Sequence, residues 1–175
     1  MQNEQTSVIE IDPRDFRRTL GSYPTGVCVV TGCDKTGRPS GLAIGSFTSV
    51  SLSPPLVAFF PSRTSSSWEN ISKGGAFCVN VLAHDQLEIC KRFAQKSNDK
   101  LKGVAHQISD FGLPILDDVI AYIECKIHDQ IITGDHLMVL GRVLSLNLNR
   151  DSSPLIFFKG EYRKIASYSP GIGNI

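Results

Sequence analysis

Three short stretches carry the residue types that could do chemistry. The first, Gly41-Leu42-Ala43-Ile44-Gly45-Ser46-Phe47-Thr48-Ser49-Val50-Ser51, reads as extended chain with small or hydroxyl side chains at many positions. Small side chains let another molecule approach the backbone, whose free N–H groups can then hydrogen-bond a planar heterocycle. An edge strand packed under a helix would have the same composition, so both readings stay open. The second stretch, Ser62-Arg63-Thr64-Ser65-Ser66-Ser67, follows a strand pattern and opens a helical one. Hydroxyls, a guanidinium and the first N–H groups of a helix together suit an anion. One serine suffices as an N-cap, and the five hydroxyls here exceed that need, which favours a phosphate over capping alone. The third, Gly134-Asp135-His136, stands between two extended runs. It is a hairpin turn first, with His136 placed to reach a ligand from the rim.

Other chemistries find no support. Neither G-x-G-x-x-G nor G-x-x-x-x-G-K-[ST] occurs, so neither the dinucleotide fingerprint nor the P-loop applies. His84, His106 and His128 lack ligand spacing, and the five cysteines (Cys28, Cys33, Cys78, Cys90, Cys125) form no C-x-x-C pair. No metal and no disulfide framework is expected.

These stretches must be positioned by a β-rich frame. Asp12-Pro13-Arg14-Asp15 opens a helix that Gly21 ends, with Asp12 as cap and Pro13 in the first turn. Gly26–Thr31 is a β-branched run closed by the turn Asp34–Gly37, and Arg38–Val50 continues as one extended stretch. Leu56–Phe60 follows as a strand, then a short helix over Ser65–Ser72, then a strand over Phe77–Leu82. Asp85-Gln86-Leu87-Glu88 has capping-box spacing with Asp85 as cap, opening a helix to Ala94. Residues 95–118 are polar and irregular, longer than a bland connection, and so are candidates for function. Val119–Ile132 and Leu137–Asn147 form long extended segments, and Leu155–Phe158 and Tyr162–Ile165 close the pattern. The fold class is mainly β, an antiparallel barrel with a few covering helices.

Composition narrows the function further. The chain has 175 residues, 41% hydrophobic and 20% charged, which suits one domain. A net charge of +1 with scattered Lys and Arg argues against nucleic acid. The longest apolar run, Pro54–Pro61, has eight residues against the about 20 of a membrane span. Met1–Gln5 lacks a basic and then apolar leader, so a reducing cytoplasm is expected. The expected organisation is an N-terminal arm (1–11), a domain (12–166) and a C-terminal tail (167–175).

The ordered set of motifs is more specific than any one of them. Tyr23-Pro24-Thr25-Gly26-Val27-x-Val29-Val30-Thr31, Ser46-Phe47-Thr48-Ser49-Val50-Ser51-x-x-Pro54-Pro55-Leu56-Val57, Arg92-Phe93-Ala94, Gly112-Leu113-Pro114, Gly134-Asp135-His136 and Pro154-Leu155-Ile156-x-Phe158-x-Gly160-x-Tyr162 occur in that order. Together they resemble the flavin reductases of two-component flavin monooxygenases, over roughly residues 13–165. The resemblance implies an FMN-binding split β-barrel of Greek-key type, usually a homodimer, with FMN or FAD as cofactor and NADH or NADPH as donor. It implies that the backbone of 43–49, with Ala43, Ile44, Gly45, Ser46, Thr48 and Ser49, lies along the flavin. It places Ser62, Arg63, Thr64, Ser65 and Ser67 at the phosphate and Phe93-Ala94 near the ring. Asp135, His136 and Tyr162 would meet the nicotinamide, with His136 the residue closest to catalysis. Ala43 stands where the family commonly has Thr, so a side-chain hydrogen bond to the flavin is lost or replaced there. Reduced flavin would diffuse to a partner oxygenase. A flavin-binding module without turnover and a split-barrel oxidase with a non-nicotinamide substrate are the alternatives.

Overall fold

The computed structural model of the chain describes residues 10–97 and 99–165. Residues 1–9 of the expected arm and the expected tail, 167–175, lie outside the described residues. In chain order the elements are α1 (Pro13–Leu20), β1 (Thr25–Gly26), β2 (Cys28–Cys33), β3 (Pro39–Ile44), β4 (Thr48–Leu52) and β5 (Pro55–Phe59). Then come α2 (Ser66–Gly74), β6 (Ala76–Val81), α3 (Leu87–Ala94), β7 (His106–Ile108) and β8 (Pro114–Leu116). The last are β9 (Ala121–Thr133), β10 (His136–Leu148), β11 (Ile156–Phe158) and β12 (Glu161–Arg163).

Seven strands form one sheet in the order β3-β2-β6-β9-β10-β5-β4. Every neighbouring pair in it is antiparallel. Its two edges, β3 and β4, are consecutive in the chain, so the barrel is split where the chain passes from one to the other. β1, β11 and β12 make a second small sheet. The expected mainly β, antiparallel split barrel with few helices is what the chain builds.

The β-branched run in β2 has a physical reason. Val29 and Val30 are both fully buried although successive side chains point to opposite faces, so β2 is covered on both sides. Val30 belongs to a cluster with Phe59, Trp68, Phe77 and Val139. Phe59 meets Trp68 and Phe77 edge to face at 5.1 and 5.2 Å between centroids, the geometry ring quadrupoles favour. Val29 joins Leu82, Phe93, Leu116 and Leu155 on the other face. Thus α2 closes one face and α3 the other.

Gly141 shows how tightly the first cluster is packed. A Cβ built there would clash with Phe77 Cζ and stand 3.0 Å from Cys125 Cβ. Phe77 is fully buried and has nowhere to turn. Gly141→Ala is therefore expected to cost about 1–3 kcal/mol of stability through overpacking. Thermal or urea unfolding checks this; an unchanged midpoint would contradict it.

Three sequence expectations need correction. Arg38–Val50 is not one strand: it breaks at Gly45–Phe47, where Ser46 Oγ leaves the ladder and accepts from Phe60 N–H at 3.0 Å. Asp85 does not cap α3. Gln86 holds the N-cap position without a side-chain cap bond, and the Asp85 carboxylate instead accepts from the Arg150 guanidinium. The 95–118 stretch is not wholly irregular, because β7 and β8 pair within it. The cap of α1 is as expected, with Asp12 Oδ1 accepting from Arg14 N–H at 2.7 Å.

Candidate functional site

The split in the barrel opens into a cleft of about 980 Å³. Four segments distant in sequence meet there: the end of β3, the turn into α2, the end of α3 with the residues after it, and the start of β10.

The β3 wall is formed by Leu42, Ala43, Ile44, Gly45 and Ser46. Among the described residues β3 pairs only with β2, through Val29↔Ala43 and Cys28↔Ile44, so its other edge presents backbone groups without a strand partner there. Thr25 and Phe157, paired with each other across β1 and β11, line the same side. β3 ends close to Thr25, since a Cβ on Gly45 would stand 2.9 Å from Thr25 Oγ1.

The hydroxyl wall is Ser62, Thr64, Ser65, Ser66 and Ser67. Ser65 caps α2, its Oγ accepting from Trp68 N–H at 3.2 Å. Ser66 and Ser67 stand in the first turn, where N–H groups have no acceptor within the helix. Ser62 and Thr64 hydroxyls lie 3.0 Å apart. Donors of this kind at a helix start fit an anion, and phosphate in particular. The flat, backbone-lined β3 wall beside them fits a planar heterocycle, so the donor set suits a phosphorylated aromatic cofactor.

The third wall is His136. The chain brings it here by docking residues 61–63 on the β9–β10 turn: Leu137 N–H donates to Pro61 O at 2.9 Å and Arg63 N–H to Asp135 O at 3.1 Å. Gly134, at φ +63°, takes the first corner of the two-residue turn, the left-handed conformation that favours glycine. Nδ1 of His136 lies 2.7 Å from Asp135 Oδ1, which leaves Nε2 as the ring atom for a ligand. The hydrogen bond from His136, and then its charge, hold the Asp135 carboxyl below its usual range.

The expected site residues separate into two groups. Ala43, Ile44, Gly45, Ser46, Ser62, Thr64, Ser65, Ser67, Phe93, Ala94 and His136 line one cleft. Thr48, Ser49, Arg63, Asp135 and Tyr162 are not part of its lining. Thr48 and Ser49 have already turned into β4, pairing with Ala58 and Val57 at the far edge of the sheet. Arg63 Nη1 donates to Gly134 O at 3.3 Å, which ties the exposed guanidinium to the turn and leaves its other N–H groups open to a ligand. Asp135 reaches the site only through His136. Tyr162 sits behind Phe157, their centroids 5.2 Å apart, and accepts from Cys90 Sγ at 3.3 Å. Burial pushes its phenol up to about 12, so it stays protonated at neutral pH.

Sequence reasoning missed Thr25, Phe157, Lys96, Ser97 and Lys100, all of which line the cleft. The one signal for the last three was that 95–118 is too long for a bland connection; nothing marked Lys100 within it.

Comparison with known proteins agrees with this geometry. The sequence model of the flavin reductase-like domain matches residues 20–166. The chain is 52% identical over 157 residues to a flavin reductase of Pseudomonas putida, covering 90% of this chain and 92% of that protein. It is 45% identical over 155 residues to the reductase subunit of a flavin-dependent monooxygenase of Rhodococcus jostii, covering 89% and 79%. Among solved structures, the NADH:FAD oxidoreductase of Streptomyces globisporus superposes with a TM-score of 0.84 at 32% identity, covering 93% of this chain and 99% of that one. The same oxidoreductase has been solved with NAD and FAD fragments. A match over most of the length, joined to a split barrel whose cleft suits a phosphorylated heterocycle, places this chain in the flavin reductase-like family.

Proposed function

We propose that the chain is an NAD(P)H:flavin oxidoreductase that passes electrons from NADH or NADPH to FMN or FAD and supplies reduced flavin to a partner oxygenase. The observation that carries the reading is the meeting, in one cleft, of a small-residue edge strand, a hydroxyl-rich helix start and a rim histidine. The cofactors supply the redox chemistry; the protein's share is binding, orientation and exclusion of water. The backbone edge of β3 at Ala43–Ser46 receives the flavin ring, and the hydroxyls of Ser62, Thr64, Ser65 and Ser67 receive the phosphate. Phe93 and Ala94 close the cleft from the α3 side. Nε2 of His136 orients the nicotinamide from the rim, held in register by Asp135. Arg63, tied to the turn that carries His136 by one bond, keeps donors for the phosphate. The reductase subunit of the Rhodococcus jostii monooxygenase, at 45% identity, supports an oxygenase partner.

Spectrophotometric oxidation of NADH and NADPH tests the reading. Rapid oxidation is expected when FMN or FAD is added and little without it. Stoichiometric flavin binding with no nicotinamide oxidation would sink the reductase and leave a binding module.

A homodimer and a cytoplasmic setting belong to the same proposal. α1 buries none of its residues, and Leu146 and Leu148 on β10 are 67% and 73% exposed, apolar surface that a second copy would cover. Light scattering is expected to give twice the chain mass at micromolar concentration; a monomer would contradict it. Among the described residues no helix is long and apolar enough to cross a membrane, and the five cysteines are unpaired, as a reducing compartment keeps them.

A further inference from the structure

Lys100 stands out because it is charged, buried and unmatched. Only 8% of its surface is exposed, and no ion pair to it occurs among the described residues. Its ammonium instead donates to three neutral oxygens: Gly41 O at 3.1 Å, Phe93 O at 3.0 Å and Ser67 Oγ at 3.1 Å. Those acceptors belong to β3, the end of α3 and the first turn of α2, three of the walls of the cleft. An ammonium has three protons, and all three are engaged. It therefore has none left for a ligand.

Its influence passes through Ser67. A serine hydroxyl has one proton and two lone pairs. By accepting from Lys100, the Ser67 oxygen turns its own O–H away from the ammonium, and Ser67 lines the cleft. A buried cation held only by neutral oxygens is costly inside a protein unless an opposite charge comes near. Burial correspondingly pulls the Lys100 ammonium below its usual range. An anion in the cleft would supply the missing charge.

We propose that Lys100 is a positioning residue for the flavin phosphate: it makes Ser67 a hydrogen-bond donor to the phosphate and sets beneath it the positive charge that the phosphate compensates. The inference rests on the reading that the phosphate sits at 62–67. An ordinary tether of β3 and α3 through Gly41 O and Phe93 O would act on ring and phosphate alike, whereas the proposed role acts on the phosphate alone.

FMN and riboflavin differ only in the phosphate, so their dissociation constants separate the two roles. Titrate both into the full-length protein, wild type and Lys100→Met, with thermal melts to establish folding. Wild type is expected to bind FMN at least about tenfold more tightly than riboflavin. Lys100→Met is expected to cut that preference by about tenfold or more while riboflavin affinity stays within about threefold. A folded Lys100→Met that keeps the wild-type preference overturns the role of Lys100 and leaves the phosphate reading standing. Equal loss of both ligands overturns it too, in favour of a tether. A wild type without preference for FMN removes the phosphate reading and this inference with it. Should Lys100→Met fail to fold, Lys100→Gln, which keeps hydrogen-bond donors without the charge, takes its place: the same loss of preference is expected, and an unchanged preference overturns the proposal.

Discussion

Replacing His136 with alanine is expected to lower kcat/KM for NADH by about 10- to 150-fold, with flavin affinity moving less than about twofold. The cause is the division of labour in the cleft. His136 enters from the β10 side, while the β3 edge and the α2 start, where the flavin is proposed to rest, are built by other segments. A positioning contact of about 1.4–3 kcal/mol, lost from the approach of the nicotinamide, converts to that range of rate. Stopped-flow reduction of bound flavin measures it directly. His136 is 46% exposed at its side chain and its loss leaves no cavity, so the fold should survive. Reduction at the wild-type rate would return Gly134-Asp135-His136 to an ordinary hairpin turn. Asp135→Asn gives a graded companion: it keeps a hydrogen bond to Nδ1 but removes the charge, so a smaller loss in the same direction is expected.

Removing both hydroxyls in Ser65→Ala with Ser67→Ala is expected to weaken FMN binding by about 100-fold. Hydrogen bonds to a charged acceptor are worth about 1.5–3 kcal/mol each, and two at the lower value already give that factor. Part of the change will register as stability, because Ser65 also caps α2. Losing the bond to Trp68 N–H should cost about 0.5–2 kcal/mol, so the comparison belongs well below the melting range. Ser66, whose hydroxyl and N–H stand beside them, is left in place to hold the local helix start. An FMN dissociation constant equal to wild type in the double variant would mean that the phosphate is held elsewhere.

Much of this protein follows from local patterning. Asp12-Pro13 starts α1, Gly75 ends α2 in the left-handed conformation, and the valines of β2 demand a strand covered on both faces. Each is decided by residues a few positions apart, through capping, backbone freedom and side-chain alternation. The chemical character of 41–46, 62–67 and 134–136 was legible for the same reason, since small residues, hydroxyls and a histidine declare their capacities one at a time.

What needed the tertiary structure was contact between segments far apart in the chain. Nothing local reveals that Arg63 reaches Gly134 O, that Tyr162 faces Cys90 rather than the cleft, or that Thr48 and Ser49 have crossed to β4. Asp85 had the right spacing for a cap, but an Arg150 guanidinium 65 residues away offers its carboxylate a charged donor, and the cap was given up. Lys100 is the strongest case. In the sequence it is one more lysine in a polar stretch; its burial, and the three carbonyl and hydroxyl oxygens around its ammonium, exist only once β3, α2 and α3 converge. Residue types set what each segment could do, by forces that reach a turn or a strand; which of them share the cleft was decided by long-range packing, because desolvation and hydrogen bonding act only between groups that the closed barrel has brought together.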